Sequence, residues 1–292
     1  MNAVREQIHM SQKTKIPYVY HYTNAGGFKG IIESQEIWAT SIYYLNDWTE
    51  FDHGKNAFIE GAKALLKSKG VEEAAREMLL VLSNSHPQMF VCSFSGAKDG
   101  DDLSQWRAYC PKGGYAIGFP ITELLKHAHA LNLHLYKCNY GSPSSEGTVK
   151  RFADIVGKVM LLCGGVNGFR SQFPFGNPLM DMLLTFIAQY KHDAFSAEEE
   201  HRLVSPPRYD GDIRFRMSDS LSIPYVAFSL NNNKLWEHAE IVLSPCSGDS
   251  RERRLESAKM FLISELRKKN LPTDCVQNVR ISKIPYRSTV SE

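Results

Sequence analysis

Two short segments, far apart in the chain, combine a strand-like apolar pattern with polar side chains that enzymes use. Residues 18–23 read YVYHYT, and their alternation predicts a β-strand that places His21 on the face of Val19 and Thr23. The segment 195–204 reads FSAEEEHRLV and ends in a second predicted strand, which carries a Glu-x-Glu pair. If the fold brings the two segments together, they form a candidate enzyme site.

Glu198 and Glu200 are two residues apart, and this spacing determines which side chains share a face of the predicted strand. In a strand that begins by Glu198, the side chains of Glu198, Glu200 and Arg202 project to the same face. Two carboxylates on one face repel each other, which raises the pKa of at least one unless water or a cation screens them. We interpret them as a candidate catalytic pair. The alternative is an exposed acidic strand start in which Arg202 forms an ion pair.

Strand-like and helical patterns follow one another along the chain, without an internal repeat or a low-complexity linker. We predict strands around 37–42, 89–95, 115–119, 133–140, 199–205, 212–217, 223–230, 239–244 and 276–281, with helices around 24–34, 50–67, 71–84 and 251–269. Residues 1–15 look like a flexible lead-in, and residues 146–195 look like a helical insertion. The pattern predicts a single α+β domain over residues 1–292.

The composition is that of a folded protein with a substantial core. Hydrophobic residues make up 43% of the chain and charged residues 23%, and the net charge of +2 demands neither a nucleic-acid nor a membrane partner. No apolar run reaches the roughly 18 residues of a membrane span. The six cysteines contain no C-x-x-C pair and no signal-peptide pattern precedes them, so we expect reduced thiols, no membrane association and a cytoplasmic location. The sequence leaves the oligomeric state open.

Well-known nucleotide and metal motifs are missing from the sequence. Neither the dinucleotide pattern G-x-G-x-x-G nor the phosphate-binding pattern G-x-x-x-x-G-K-[ST] occurs. Asp99, Asp101 and Asp102 lie in one loop, which is either a cation site or a solvated acidic loop. We predict no metal ion.

Aromatic side chains surround His21 in the sequence. Trp38, Tyr43 and Tyr44 follow within a short stretch and offer flat surfaces for a planar heterocycle such as nicotinamide. A histidine, stacking aromatics and paired carboxylates suit cleavage of a ribosyl C–N bond, because carboxylate charge stabilises an oxocarbenium-like transition state. The alternative for His21 is a hydrogen-bonded strand histidine without a ligand.

Several blocks together resemble the bacterial DUF2971 family. The blocks run from about residue 18 to residue 287 and are 20–23 with 30–32, 38–40 with 45–47 and Glu50, 90–95, 106–109, 113–119, 195–202 and 284–287. A more distant similarity is to ADP-ribosyltransferases, whose fold is a split β-sandwich that cleaves NAD. The resemblance implies the same sandwich here, with flanking helices and the helical insertion.

The similarity to ADP-ribosyltransferases also implies roles for individual residues. In one branch a first-strand His holds the adenosine ribose and the carboxamide, a Tyr stacks on nicotinamide and a later Glu bonds the nicotinamide ribose. These roles fall to His21, to Tyr43 or Tyr44, and to Glu200. A second branch has Glu-x-Glu, in which the first Glu orients the acceptor, a role for Glu198. The remaining residues expected to line the NAD site are Tyr22, Thr23, Trp106 and Arg107, with Arg107 on the pyrophosphate. Alternatively, Trp106 belongs to the core and Arg107 bonds a carboxylate.

The resemblance implies an NAD-dependent ADP-ribosyltransferase that acts on a macromolecular acceptor, either a nucleic acid or a protein. It also implies a role as a bacterial toxin or anti-phage effector. Two other functions stay open. One is a nucleotide- or nucleic-acid-binding module without catalysis, and the other is a metal-dependent nuclease that uses the aspartate loop and the glutamate pair.

Overall fold

The computed structural model describes residues 17–45, 50–69, 87–141, 178–207, 210–218, 220–246 and 250–285, together with scattered positions between 146 and 164. The predicted lead-in over 1–15 and the predicted helix over 71–84 lie outside the described residues, as does part of the predicted insertion over 146–195, mainly residues 165–177. Within the described residues the chain has a mixed α+β fold with a large sheet and several helices, as predicted.

The strands of the described chain are numbered in chain order. They are β1 (Tyr18–Asn24), β2 (Glu36–Ser41), β3 (Phe90–Ser95), β4 (Gly114–Pro120), β5 (His134–Lys137), β6 (Asn139–Tyr140), β7 (Tyr190–Lys191), β8 (Glu200–Val204), β9 (Arg214–Ser218), β10 (Leu221–Ser229), β11 (Glu240–Leu243) and β12 (Val279–Ile281).

The α-helices of the described chain are numbered in the same way. They are α1 (Ala25–Ser34), α2 (Glu50–Lys69), α3 (Leu103–Tyr109), α4 (Ile121–Ala130), α5 (Pro178–Ala188), α6 (Asn233–Glu237) and α7 (Ser250–Lys268). Short 3₁₀ helices cover Ile42–Tyr44, Ala97–Gly100, Asp193–Glu198 and Asp274–Asn278. Helices α3, α4 and α6 were not predicted, because α3 and α6 are too short for a periodic pattern and α4 follows directly on β4.

Ten strands form one sheet, in which β3 has an unusual position. One edge of β3 pairs with β8 along its length, from Val91↔Val204 to Ser95↔Glu200. The other edge is shared: β1 pairs with it at Tyr20↔Ser95, and β2 pairs with it at Thr40↔Val91 and Ser41↔Phe90. The sheet therefore splits along this edge, between the part that contains β1, β4, β11 and β12 and the part that contains β2, β10 and β9.

The two faces of β1 enter different hydrophobic clusters. Val19 packs into the large core together with Phe94 and Leu203. Tyr20 and Tyr22 pack on the opposite face in a smaller cluster with Trp106, Cys110, Ala116 and Val242. The alternation predicted for residues 18–23 is therefore confirmed, because each face of β1 is buried against its own neighbours.

Helix α1 follows β1 without a loop. The side chain of Asn24 accepts a hydrogen bond of 2.8 Å from the backbone N–H of Gly27, so the predicted cap at Asn24 is confirmed. Phe28 then stacks on Tyr115 of β4, with ring centroids 3.9 Å apart, and contacts Phe261 of α7. Helices α1 and α7 thus cover the large core, and β1 ends at Asn24 because α1 begins at the next residue.

Two glycines make room for the ring of Tyr20. A Cβ atom at Gly118 would lie 2.4 Å from the Tyr20 ring, and one at Gly100 would lie 2.3 Å from it. Gly100 also has a φ of +73°, which favours glycine. The Tyr20 hydroxyl donates a 2.7 Å hydrogen bond to Oε2 of Glu240, so the ring is fixed at both ends.

The start of β8 differs from the sequence prediction. The strand begins at Glu200, whereas Glu198 ends a 3₁₀ helix and Glu199 adopts a left-handed conformation with a φ of 45°. The prediction that Glu198 and Glu200 share a strand face is therefore wrong, because Glu198 lies before the strand. The two side chains are brought together by a turn and by a common lysine, Lys191.

Among the described residues, no helix is both long enough and apolar enough to span a membrane.

Candidate functional site

A cavity of about 980 Å³ opens where the sheet splits. Its size is that of a small-molecule site, for which about 300–1,000 Å³ is usual. The walls come from both parts of the split sheet and from the segment before β8: β1 and α1, β2, β3, β9, and residues 191–202. The cavity thus lies at a place that the strand pairing itself leaves open.

His21 fills a gap in the hydrogen bonding of β3. Its Nδ1 lies 3.0 Å from the carbonyl oxygen of Ser93, on the edge of β3 that β1 and β2 leave uncovered between Ser95 and Val91. In the neutral ring Nδ1–H donates to this carbonyl, which leaves Nε2 as an acceptor. Burial lowers the pKa of His21, while the bond to Ser93 opposes this change. His21 is therefore neutral at pH 7.

Glu200 lies in a buried ionic cluster. Its Oε1 accepts a hydrogen bond from Nε of Arg202 at 3.0 Å, and its Oε2 accepts bonds from Nη2 of Arg202 at 3.1 Å and from Nζ of Lys191 at 2.7 Å. Glu200, Arg202 and Lys191 are 4%, 2% and 5% exposed. Lys191 also donates to Oε2 of Glu198 at 2.8 Å. One lysine therefore bridges both carboxylates, and the four side chains carry no net charge.

The charges of this cluster keep Glu200 ionised. Burial by itself raises the pKa of Glu200, but the positive charges of Arg202 and Lys191, together with their hydrogen bonds, lower it to about 2. The sequence-based expectation of a raised carboxylate pKa therefore does not hold for Glu200. Its alternative, an ion pair between Glu200 and Arg202, is what the structure contains, in a buried form.

Backbone contacts hold the turn that carries the glutamates. The Ser95 hydroxyl donates to the carbonyl oxygen of Glu198 at 2.8 Å, and the N–H of Gly96 donates to that of Glu199 at 3.0 Å. The N–H of Glu200 donates to the hydroxyl of Tyr140 at 2.6 Å. The first two bonds attach the turn to the end of β3 and the third attaches it to β6, and Glu198 thereby lies beside the cavity.

His21 and Glu200 meet at the split and lie on different faces of the sheet. Ser95 pairs with Tyr20 on one side and with Glu200 on the other, so β1 and β8 are two strand spacings, about 10 Å, apart. This register puts Glu200 on the face of Tyr20, whereas His21 contacts Phe94 and Cys92 on the other face. Both side chains still line the cavity, because it reaches around the uncovered edge of β3.

Exposed aromatic side chains border the cavity. Trp38, Tyr44, Tyr109 and Phe195 are 46%, 41%, 38% and 36% exposed, and each lines it. Trp38 also packs on Tyr225, with ring centroids 4.3 Å apart. Half-exposed aromatic rings around a cavity offer stacking surfaces for a planar ligand.

Six of the residues predicted for the site line this cavity: His21, Tyr22, Thr23, Tyr44, Glu198 and Glu200. Three do not line it. Trp106 is 1% exposed and packs edge-on against Tyr22, with its Nε1–H donating to Asp101. Arg107 is exposed on α3, and Tyr43 packs edge-on against Phe51. Trp106 is therefore a core residue, the alternative that the sequence left open.

The cavity also contains basic residues that the sequence prediction missed. Lys191 was overlooked because the pattern around β7 gives no hint that its amine is buried. Arg214 and Arg216 could have been found, since their spacing puts both on one face of the exposed strand β9. Nη1 of Arg214 lies 3.0 Å from Glu36, and Nη2 of Arg216 lies 3.1 Å from the hydroxyl of Thr40.

The aspartate loop has structural contacts. Asp101 accepts hydrogen bonds from Trp106, Ser282 and the N–H of Lys283. Asp102 caps α3 by accepting from the N–H of Ser104 at 2.8 Å. In the part of the chain that the structure describes, no three His, Cys, Asp or Glu side chains are grouped to hold a metal ion. Asp101 and Asp102 therefore both have structural roles in this loop.

Comparisons with known proteins give a family match for one part of the chain. No curated protein and no solved structure matches the chain. The matched part begins in α3 and ends inside β8, so it contains Lys191, Glu198, Glu200 and Arg202 but not His21. Residues 105–203 match the family described as "Protein of unknown function (DUF2971)", which confirms the predicted family relationship over that range.

Proposed function

We propose that the protein is an NAD-dependent ADP-ribosyltransferase-like enzyme that transfers ADP-ribose to a macromolecular acceptor. One observation carries the proposal: His21 and the glutamates 198 and 200, which are far apart in the sequence, line one cavity bordered by half-exposed aromatic rings. A planar ring, ribose hydroxyls and a developing positive charge all find complementary groups there.

The strand arrangement supports the proposed fold type. The proposed fold is a split β-sandwich, and here β1 and β2 separate along one edge of β3 with the cavity between them. The split β-sandwich remains part of the proposal, since no solved structure matched the chain.

The side chains suit cleavage of a glycosidic C–N bond. In that reaction nicotinamide leaves with the bonding electrons, and an acceptor atom with a lone pair then bonds to the ribose carbon and releases a proton. The carboxylates next to Lys191 supply negative charge that stabilises a positive ribosyl carbon. Nε2 of neutral His21 can accept a hydrogen bond from a ribose hydroxyl.

The proposal is tested by incubating the purified protein with NAD and measuring nicotinamide release. We expect release by the wild type and none by the double variant Glu198→Gln/Glu200→Gln, with thermal unfolding recorded for both. Mass spectrometry of cells that express either protein then identifies an ADP-ribose adduct on protein, RNA or DNA. A toxin or anti-phage role predicts growth arrest only with the wild type. Wild-type protein that neither cleaves NAD nor modifies any acceptor refutes the proposal.

One observation favours a second function, a nucleotide-binding module without catalysis. Both oxygens of Glu200 are occupied by Arg202 and Lys191, so its charge is already neutralised within the protein. Such a module would bind nucleotide without releasing nicotinamide. Its binding would withstand the double glutamine substitution, but His21→Ala would abolish it.

A further inference from the structure

The two glutamates differ in how accessible they are to a ligand. The side chain of Glu200 is 6% exposed, whereas that of Glu198 is 25% exposed and lines the cavity. An ionised carboxylate has about four acceptor positions. Three of those on Glu200 receive N–H donors from Arg202 and Lys191.

A ligand that contacted Glu200 would have to displace part of this cluster. Lys191 and Arg202 are as deeply buried as Glu200, so removing either from the carboxylate would leave a charge in a low-dielectric environment. Arg202 is fixed further by its bond of 2.9 Å to the carbonyl oxygen of Ala188. Glu200 is therefore poorly placed to bond a ribose hydroxyl directly.

Glu198 has the opposite combination of a fixed backbone and an accessible side chain. Its carbonyl oxygen is held by Ser95, and its Oε2 is held by Lys191 at 2.8 Å. The amine of Lys191 lies 4.9 Å from the centre of the Phe195 ring, and Phe195 is one of the half-exposed aromatics that border the cavity. The Glu198 carboxylate and the Phe195 ring thus both contact the amine of Lys191 at the cavity wall. A carboxylate accepts hydrogen bonds from hydroxyl donors, and an exposed aromatic ring offers a stacking surface.

We infer that Glu198 is the carboxylate that contacts the ligand, and that Lys191, held by Glu200 and Arg202, is the residue that positions it. Glu200 thus acts through Lys191 and not on the ligand. The inference rests on the proposed function, and it reverses the roles that the similarity to ADP-ribosyltransferases implied for the two glutamates. The ligand group assigned to Glu198 is a ribose hydroxyl next to a positively charged ring.

Single substitutions separate the roles of the two carboxylates. Nicotinamide release is measured for Glu198→Gln, Glu200→Gln and Lys191→Met, each at a temperature well below its own unfolding midpoint. Glu199→Gln is the matched control, because Glu199 is exposed and does not line the cavity. We expect Glu198→Gln to lower kcat by about 100-fold or more, as is usual when one charge-stabilising group is lost. Its midpoint should fall less than that of Glu200→Gln, because the Glu198 side chain is 25% exposed.

The other variants report on positioning. Glu200→Gln and Lys191→Met should lower the unfolding midpoint, and their kcat should fall less than that of Glu198→Gln. Lys191→Arg should recover most of the kcat lost in Lys191→Met, because it restores a cation between the carboxylates.

The outcomes distinguish the inference from the proposed function. If folded Glu200→Gln is inactive while Glu198→Gln keeps its activity, the inference is overturned and the proposed function stands. If the wild type neither binds nor cleaves NAD, the proposed function fails and the inference fails with it.

Discussion

Replacing Glu200 by Gln removes the central charge of the buried cluster and keeps the size of the side chain. Arg202 then loses its carboxylate in a place where it is 2% exposed. Breaking a buried ion pair costs about 3–5 kcal/mol. The pKa of Glu200 falls from 4.5 to about 2, which corresponds to about 3 kcal/mol at roughly 1.4 kcal/mol per pKa unit. We therefore expect a loss of about 3 kcal/mol in the free energy of unfolding at pH 7.

The same lowered pKa predicts how this difference depends on pH. A carboxylate whose pKa is lower in the folded state stabilises the protein above its unfolded value of 4.5, and this stabilisation is lost as the pH falls towards 2. Urea unfolding followed by tryptophan fluorescence should thus show a large difference between wild type and Glu200→Gln at pH 7 and a clearly smaller one at pH 3. Glu199→Gln should stay within about 0.5 kcal/mol of the wild type.

Two results would refute this reasoning about the cluster. One is a difference below about 1 kcal/mol at pH 7, which is the range of exposed ion pairs. The other is a difference of equal size at pH 7 and pH 3, because below pH 4.5 the unfolded state binds a proton that folded Glu200 does not, which must reduce the stabilisation.

Two further predictions concern packing and ligand binding. Gly118→Ala should lower the free energy of unfolding, measured by urea titration, by about 1–3 kcal/mol, because its Cβ would lie 2.4 Å from the Tyr20 ring. Gly30→Ala is the control, since a Cβ at this position of α1 would have no neighbouring atom within 4 Å. It should be neutral or stabilising by up to about 1 kcal/mol. Trp38→Ala should weaken NAD binding in calorimetry by about 1–3 kcal/mol, the usual contribution of an aromatic ring that stacks on a base. It should also lower the free energy of unfolding by about 0.5–1.5 kcal/mol, because the ring pair with Tyr225 is lost. Phe215→Ala is its control, since Phe215 is 63% exposed and outside the cavity lining, and equal losses in both variants would contradict stacking on Trp38.

Local sequence patterns predicted the parts of the fold that depend on short-range chemistry. The alternation in β1 and the cap at Asn24 follow from neighbouring residues, and both are confirmed. The ion pair between Glu200 and Arg202 also follows from strand periodicity, although the sequence could not show that it is buried. Predictions of this kind need only the pleat of a strand and the preferences of a helix start.

The features that the sequence could not show depend on contacts between segments that are far apart in the chain. Nothing in residues 90–95 reveals that β1 and β2 share one edge of β3, yet this arrangement creates the cavity. The burial of Lys191 depends on the turn before β8, where Glu199 has a positive φ that strand periodicity did not anticipate. The core position of Trp106 depends on how α3 packs against β1, because its ring is buried against Tyr22 in the smaller cluster.

At the split in the sheet and in the ionic cluster, buried polar groups receive their partners from side chains. Where β1 and β2 separate, the carbonyl group of Ser93 is left without a strand partner, and His21 supplies one from its side chain. Where the turn brings two carboxylates together, Lys191 and Arg202 neutralise them, so a negative group can stand at the cavity wall without an excess of buried charge. In each case the side chain lines the cavity, and one of its atoms, Nε2 of His21 or Oε1 of Glu198, has no hydrogen-bond partner among the described residues. The residues that complete the fold at this place therefore also line the cavity, and this coincidence is the physical basis of the proposed nucleotide chemistry.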